Sequence, residues 1–417
     1  MTSPAPFGAL RDIRIIDLTQ MLAGPYGTMI LADHGAEVIK VEPPEGDMTR
    51  HGGPYRADDS QRVLNGYFQS IDRNKRSVCL DLKQPEGRAA LLKLVAGADA
   101  VTENYRAGVM ERLGVGYEDL KKVNPRLVYG SLRGFGDRRT GASPYNNWPA
   151  FDVVAQAVGG IMAITGPDAA TPTKVGPGVG DIIPGMMLAF GVLAAIHHAR
   201  RTGEGQFVDV AMVDAVLAVC ERMVYQNSVL GQTPGPEGNQ HPFLMPFGMY
   251  PAKDGHVTIA AQQPAFFAVL CEQLECPELL ADARFTSNEL RVRHRAEFVA
   301  ALNAVTARYT KAELVQRLGG KLPFGPVLNI AEIAGDPHFA VREMIVPVEQ
   351  PGSTPIRIAG VPIKMTATPG GVHRRAPLLG EDTIERLREA GLGDDEIKDL
   401  IDKRAAIAAK TLQEDRS

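Results

Sequence analysis

Asp181 is the carboxylate whose setting invites chemistry. It stands in VGPGVGDIIPGM (175–186), between a Gly/Pro loop and the apolar run MLAFGVLAAIHHARR. Aspartate is a favoured helix N-cap because its side chain accepts orphan backbone N–H bonds. Pro184 fits the first turn of a helix starting there. The same helix end favours negative charge and is expected to keep the carboxylate ionised at neutral pH. An ionised carboxylate on an open, glycine-lined loop is what covalent attack on a carbonyl needs. Taken alone, the stretch favours capping over nucleophilic attack.

Other chemistries lack their residues. A dinucleotide site needs G-x-G-x-x-G in the first turn after the first strand, so that the backbone can approach a pyrophosphate. The turn here, DLTQMLAGP, has one glycine, and GPGVGD (176–181) falls far from that strand. There is no G-x-x-x-x-G-K-[ST], no H-E-x-x-H and no G-x-S-x-G. His197 and His198 read as helix-end residues favoured by the dipole rather than metal ligands. Cys79, Cys220, Cys271 and Cys276 form no CxxC pair, so no zinc site or disulfide framework is expected, and a reducing compartment fits. No metal is expected.

The elements that must position Asp181 alternate. IRIIDL (13–18) and EVIKVE (37–42) read as buried strands, with a helix over 26–35 between them. A helix over 88–101 runs toward a third strand, and LVYGSL (127–132) gives a fourth. Strands separated by helices predict right-handed crossovers and a mainly parallel sheet over about the first 200 residues. A helix-rich segment spans 209–230, and the Gly/Pro-rich stretch 233–248 marks a boundary or loop. HVTIAA (256–261) opens a smaller region ending near 327. RIAGVPIKM (357–365) gives more strand signal, and 383–412 reads as amphipathic helix. The longest apolar run, around 186–196, is shorter than the ~20 residues a membrane span needs and reads as a buried helix. The start lacks a signal-peptide pattern. A net charge of −4 gives no case for nucleic acid or an anionic membrane. RNKRS (73–77) and RGFGDRR (133–139) are local basic clusters expected on a solvated face. A cytoplasmic protein is expected.

Six stretches in order carry a resemblance: 13–50, DRNKRSVCLDLKQPEGR (72–88), ENYRAGVMERLGVGYEDL (103–120), GVGDIIPGM (178–186), TGEGQFVDVAMVDA (202–215) and RAPLLGEDT (375–383). Together they resemble the class III CoA-transferases, the CaiB/BaiF family. The resemblance implies an α/β fold: a large Rossmann-like domain with a mainly parallel sheet, plus a smaller α+β domain, in an interlocked homodimer. It divides the chain into 1–225, the first part of a large CoA-binding domain, 226–325, the small domain, and 326–417, a linker and return to the large domain. It also implies that Asp181 is the nucleophile, attacking an acyl-CoA donor such as succinyl-CoA and passing CoA to a small carboxylic or dicarboxylic acid through a mixed anhydride and an aspartyl-CoA thioester. CoA is then a substrate and no cofactor is held permanently. By position, Gln20, Met21, Leu22 and Ala23 would line the pantetheine and thiol end, and Leu80, Lys83, Asn104, Tyr105 and Arg112 other parts of CoA. A nucleotide-contacting Arg of some members is Pro43 here; Lys40 and Arg50 could substitute, though both are expected on the surface.

The same family includes α-methylacyl-CoA racemases, which use a His ahead of the G-D motif. That position is Phe151 in PAFDVVAQAVGG (149–160), and phenylalanine accepts no proton. Asp152 beside it could serve as a base or simply open a helix. The family's mobile glycine loop corresponds to PEGNQHP (236–242), where Gly238, Asn239, Gln240 and His241 could hydrogen-bond an acceptor carboxylate. The departure from a glycine run argues against an oxalate or formate specialist. The alternatives to a transferase are a racemase or a non-catalytic CoA-binding protein.

Overall fold

The computed structural model describes residues 7–409. The chain divides into two units, one made of the residues up to Ile161, 174–225 and those from Pro337 onward, the other of 162–173 and 226–336. Two boundaries differ from those read in the sequence. Residues 162–173 leave the large domain, and the small one continues past 325 to Asp336. Backbone bonds explain the first shift: Thr173 N–H donates to Thr165 O, and Gly238 N–H to Gly166 O.

The first unit is built on a seven-stranded sheet. Its elements in chain order are β1 (Arg14–Asp17), α1 (Ala23–Asp33), β2 (Glu37–Glu42), α2 (Gly66–Asp72), β3 (Arg76–Leu80), α3 (Pro85–Ala96), β4 (Ala100–Glu103), α4 (Val109–Arg112), α5 (Tyr117–Val123), β5 (Val128–Arg133), α6 (Asp152–Val158), α7 (Val179–Thr202) and β6 (Phe207–Ala211). The order across the sheet is β3-β2-β1-β4-β5-β6, all parallel, with the short strand Ala406–Ile407 antiparallel on the β3 edge. Successive strand residues face opposite sides. Ile16, Ile39, Val78 and Val101 enter one core, and Ile15, Val38, Ala100 and Val128 the other. Both faces are covered, as a parallel sheet requires.

The strand order reverses between β1 and β4. In an open α/β sheet, ligands bind at the carboxyl ends of the strands beside such a switch point. The loops leaving β1 and β4 are therefore the ones that fold topology aims at a ligand.

Of the six parallel strands, two escape the sequence pattern. β3 is RSVCL, whose Arg76 and Ser77 hide it inside a basic run; Ser77 is buried and donates to Glu42 at 2.7 Å. β6 overlaps the start of the helix-rich segment expected from 209, and the following helix begins only at Met212. The strand predicted over 357–365 is shorter, Ile356–Ala359, paired antiparallel with Ile345–Val348. The tail is two helices, Thr383–Glu389 and Asp394–Asp402, because Gly391 between them takes φ 90°. Residues 410–412 of the expected tail helix lie outside the described residues.

α7 is also longer than its apolar run. It spans 24 residues and is long and apolar enough to cross a membrane by length and composition alone. One face, including Leu188, Val192, Ala195 and Ile196, belongs to the core beneath the sheet. Gly203, at φ 81°, ends it. Where α7 crosses α1, a Cβ at Gly185 would overlap the Ala23 carbonyl oxygen, and one at Gly27 the Gly185 carbonyl oxygen. Glycine at both positions lets the two backbones touch. That contact sets Asp181, one turn before Gly185, beside the β1–α1 loop.

The second unit has a three-stranded antiparallel sheet, Phe247–Ala252, Gly255–Ala260 and Phe324–Pro326, with helices that include Pro264–Gln273 and Arg295–Thr306. Its own core contains Tyr250, Val257, Phe267, Leu270, Phe298 and Leu302. It is an α+β unit.

Candidate active site

At the β1/β4 switch point lies a cleft of about 280 Å³. Its walls come from the β1–α1 loop (Gln20, Met21, Leu22, Ala23), the β4 loop (Asn104 to Ala107), the end of β5, the segment Asn146–Phe151, and Asp181. The first two loops are tied reciprocally. Gln20 N–H donates to Asn104 Oδ1 at 2.8 Å, and Asn104 Nδ2 donates to Gln20 O at 2.7 Å. Met21 holds φ 65°, a left-handed backbone that a non-glycine residue adopts only when its surroundings impose it. A second cleft, about 370 Å³, is lined by Pro43, Leu80, Lys83 and Arg112 among others. Gln20 and Tyr105 line both clefts, and Gln20 Nε2 donates to the Tyr105 hydroxyl at 2.9 Å. The nine positions expected along CoA therefore fall on two clefts that share a wall.

Beneath the β1–α1 loop is a buried ionic cluster. Lys75 Nζ reaches Asp17 Oδ2 at 3.0 Å, Asp72 Oδ1 at 2.8 Å and Pro25 O at 3.0 Å. Lys40 Nζ meets Asp47 at 2.9 Å and donates to Thr19 O at 2.8 Å. All five charged side chains are buried. Burial would raise the Asp17 pKa, but the ammonium groups of Lys75 and Lys40 hold it well below the usual carboxylate range.

Asp181 does not cap its helix. Gly178 is the N-cap, and Asp181 sits in the first turn with no hydrogen bond to its carboxyl group among the described residues. Instead Asp152, in the first turn of α6, caps α7 from outside: Gly180 N–H donates to Asp152 Oδ1 at 2.8 Å. Gln156 Nε2 donates to both Asp152 oxygens, and Lys174 Nζ lies 3.6 Å from Oδ2. The expectation that the helix end keeps Asp181 ionised is overturned. Burial, and then the Asp152 charge, push its pKa up to about 7. Desolvation and a like charge outweigh the dipole here. A carboxylate with no donor to give up, but with high proton affinity, is a stronger nucleophile once ionised. The neighbouring Tyr67 phenol is pushed up by burial and then by the Asp181 charge, so it stays neutral.

Activity that needs ionised Asp181 falls tenfold per pH unit below about 7 in kcat/KM. Asp152→Asn keeps an oxygen to accept from Gly180 N–H but removes the charge. It is expected to move that acid limb down by about one unit, read from the kcat/KM pH profile. A limb that stays in place would show that Asp152 does not tune Asp181.

The model of CoA-transferase family III matches residues 10–383. The chain belongs to CoA-transferase family III. It is an enzyme, a CoA-transferase. A succinyl-CoA:mesaconate CoA-transferase of Haloarcula hispanica is 50% identical over 395 residues, covering 93% of this chain and 97% of the relative. A succinyl-CoA–D-citramalate CoA-transferase of Chloroflexus aurantiacus is 37% identical, covering 97% and 100%. Among solved structures, a CaiB/BaiF family protein from Brucella suis aligns with TM-score 0.83 at 33% identity, covering 92% of this chain and all of that one.

In this CoA-transferase several expectations change. Lys40 and Arg50, thought exposed and able to stand in for the arginine missing at Pro43, are buried and committed. Arg50 makes a bidentate pair with Glu42 and stacks over Phe68 at 3.8 Å. Lys83 and Arg112 are then the cations lining the Pro43 cleft. The two basic clusters are also partly interior: Arg73 pairs with Asp33, and Arg133 with Glu103 and Asp137. Gly238, Asn239, Gln240 and His241 belong to the second unit. Gln240 Nε2 donates to Met249 O, its Oε1 accepts from Tyr250 hydroxyl, and His241 N–H donates to Phe247 O, so this segment is anchored to the small sheet. Phe151 is the N-cap residue of α6 and lines the Asp181 cleft. Sequence reasoning missed Met48, Arg106 and Trp148 in the cleft wall. Trp148 was visible as the chain's one tryptophan, in a polar loop. Arg106 directly follows the Asn104–Tyr105 pair.

Proposed function

We propose that this transferase moves CoA from succinyl-CoA to a short dicarboxylic acid through covalent intermediates on Asp181. The observation that carries the reading is the Asp181 carboxyl, without a hydrogen-bond donor among the described residues, in a cleft lined by the β1 and β4 loops. The named substrates of the mesaconate and citramalate relatives support the choice of acids.

The ionised carboxylate attacks the thioester carbonyl. The C–S bond breaks, CoA leaves as thiolate, and Asp181 carries a mixed anhydride. The thiolate then attacks the aspartyl carbonyl and releases succinate, leaving an aspartyl-CoA thioester. The acceptor carboxylate attacks that carbonyl, the thiolate leaves again, and it attacks the acceptor's acyl carbon. Free Asp181 is restored. Each stage replaces one hard exchange with easier ones. A helix leaves its first N–H groups without internal partners. α1 begins at Ala23 on the cleft wall and offers such groups to a developing oxyanion.

Phe151 and the engagement of Asp152 with Gly180, Gln156 and Lys174 argue against proton abstraction as in a racemase. We also infer a homodimer: Met186, Met187 and Phe190 of α7 are large apolar side chains left exposed on the first unit, which fits an interlocked partner. Four unpaired cysteines suit a reducing cytoplasm. The test is an assay of succinyl-CoA with mesaconate, citramalate, oxalate and acetate, reading the acyl-CoA formed. New acyl-CoA with the longer diacids is expected. Its absence, together with α-deuterium exchange into 2-methylacyl-CoA without an acceptor, would replace this reading with the racemase.

A further inference from the structure

A nucleophile that forms no hydrogen bond through its own carboxyl is aimed by the backbone that carries it. For Asp181 that backbone is the loop 175–180 and the first turn of α7. Gly176, Gly178 and Gly180 make such a loop intrinsically free to move. Both of its ends are nevertheless fastened to one short helix, α6. At the exit, Gly180 N–H donates to Asp152 Oδ1 at 2.8 Å. A Cβ at Gly180 would come within 2.6 Å of the Asp152 carbonyl oxygen, so only glycine lets α7 start this close to α6. At the entry, Val175 N–H donates to Gln156 Oε1 at 2.9 Å, and Gln156 Nε2 donates to Val175 O at 3.4 Å. Gln156 lies one helical turn after Asp152, and its Nε2 also donates to Asp152 Oδ1 at 2.9 Å and Oδ2 at 3.0 Å. These partners fix which way round the amide lies. Turned over, it would set its oxygen against a carboxylate and its own N–H against the Val175 N–H.

We propose that Gln156 is a positioning residue for the Asp181 nucleophile: it joins the entry of the loop to the side chain that caps its exit, and so holds the carboxyl in line with the thioester carbonyl. The inference rests on the covalent reading above. Gln156 is fully buried and lines neither cleft, so it acts through the loop and not by touching substrate. An amide suits this place because one end must accept from a backbone N–H while the other donates to a carboxylate. Each of these bonds is costly to lose, since a buried partner would be left unpaired. Lys174 Nζ donates to Val175 O and Gly176 O in the same stretch, but from an exposed position where water competes. Alignment matters because a displacement of about 1 Å from the attack geometry costs about 10²-fold in rate.

The test uses Gln156→Met, which keeps the volume and removes both polar ends, and Gln156→Asn, which keeps an amide one methylene too short to reach both partners. The measurements are kcat per folded enzyme, KM for succinyl-CoA, CoA affinity by calorimetry, and the single-turnover rate at which hydroxylamine traps a label on Asp181 from succinyl-CoA. In Gln156→Met, kcat and the labelling rate are expected to fall together by about 10- to 100-fold, while KM and CoA affinity stay within about twofold. Gln156→Asn should lie between this and wild type, and it carries the test if the methionine variant does not fold. Labelling at the wild-type rate in a folded variant would overturn the proposal and leave Gln156 a purely structural residue. A loss of CoA affinity or a rise in KM in step with the fall in kcat would overturn it too, because the cleft walls would then have moved. A wild-type chain that turns over without labelling Asp181 would instead bring down the covalent reading, and the role of Gln156 with it.

Discussion

Asp181→Asn is expected to lower kcat for CoA transfer by about 10⁴-fold or more, the scale seen when a covalent nucleophile is removed. CoA affinity should hardly change, because the walls that meet CoA are untouched. The same substitution should stabilise the fold. In the folded chain Asp181 holds its proton up to about pH 7, against a reference value of 3.8. The folded state thus binds more protons than the unfolded one between those values. Stability from this group is fully present below about pH 4 and is lost as pH rises to about 7. At pH 8 the wild-type chain bears that cost and the asparagine variant does not. After allowance for partial exposure, the gain is about 2 kcal/mol at pH 8 and near zero at pH 4, read from denaturant midpoints. Equal stability at pH 8 would mean that the carboxyl is better solvated than its position indicates.

Lys75→Met should destabilise the chain by about 3–5 kcal/mol, because it leaves Asp17 and Asp72 buried with one ammonium fewer between them. Asp17 also accepts from Thr19 and Thr28, which shape the β1–α1 loop. Folded variant should therefore bind CoA more weakly, with Gln20 to Ala23 no longer held. Urea unfolding, followed by a CoA titration of the fraction that folds, measures both. A loss under about 1 kcal/mol would show that the carboxyl groups discharge by taking up protons at little cost.

The sequence made some of this legible because local pattern and local role agreed. β1 and β2 carry their β-branched residues, Ile15, Ile16, Val38, Ile39 and Val41, close together and buried on both faces, and Asp181 sits at a loop-to-helix transition that composition alone marks. β3 was hidden because Arg76 and Ser77 satisfy their polar groups against residues far along the chain: Ser77 N–H donates to Asp382, and Arg76 pairs with the same carboxylate. Lys40 and Arg50 read as surface residues for the same reason. Their partners, Asp47, Asp72 and Glu42, are ordinary charges until the fold brings them together. The ionisation of Asp181 was misjudged because a helix end is visible in sequence, whereas desolvation and the approach of Asp152 from another helix are not.

The central claim is that the Asp181 carboxylate becomes covalently bound during transfer. The direct measurement is to mix the enzyme with succinyl-CoA, quench with hydroxylamine or borohydride, and locate the modified residue by peptide mass spectrometry. A hydroxamate or a reduced side chain at Asp181, absent in Asp181→Asn, is the predicted result. An unmodified Asp181 in enzyme that is turning over, or a modification at another carboxylate, would contradict it.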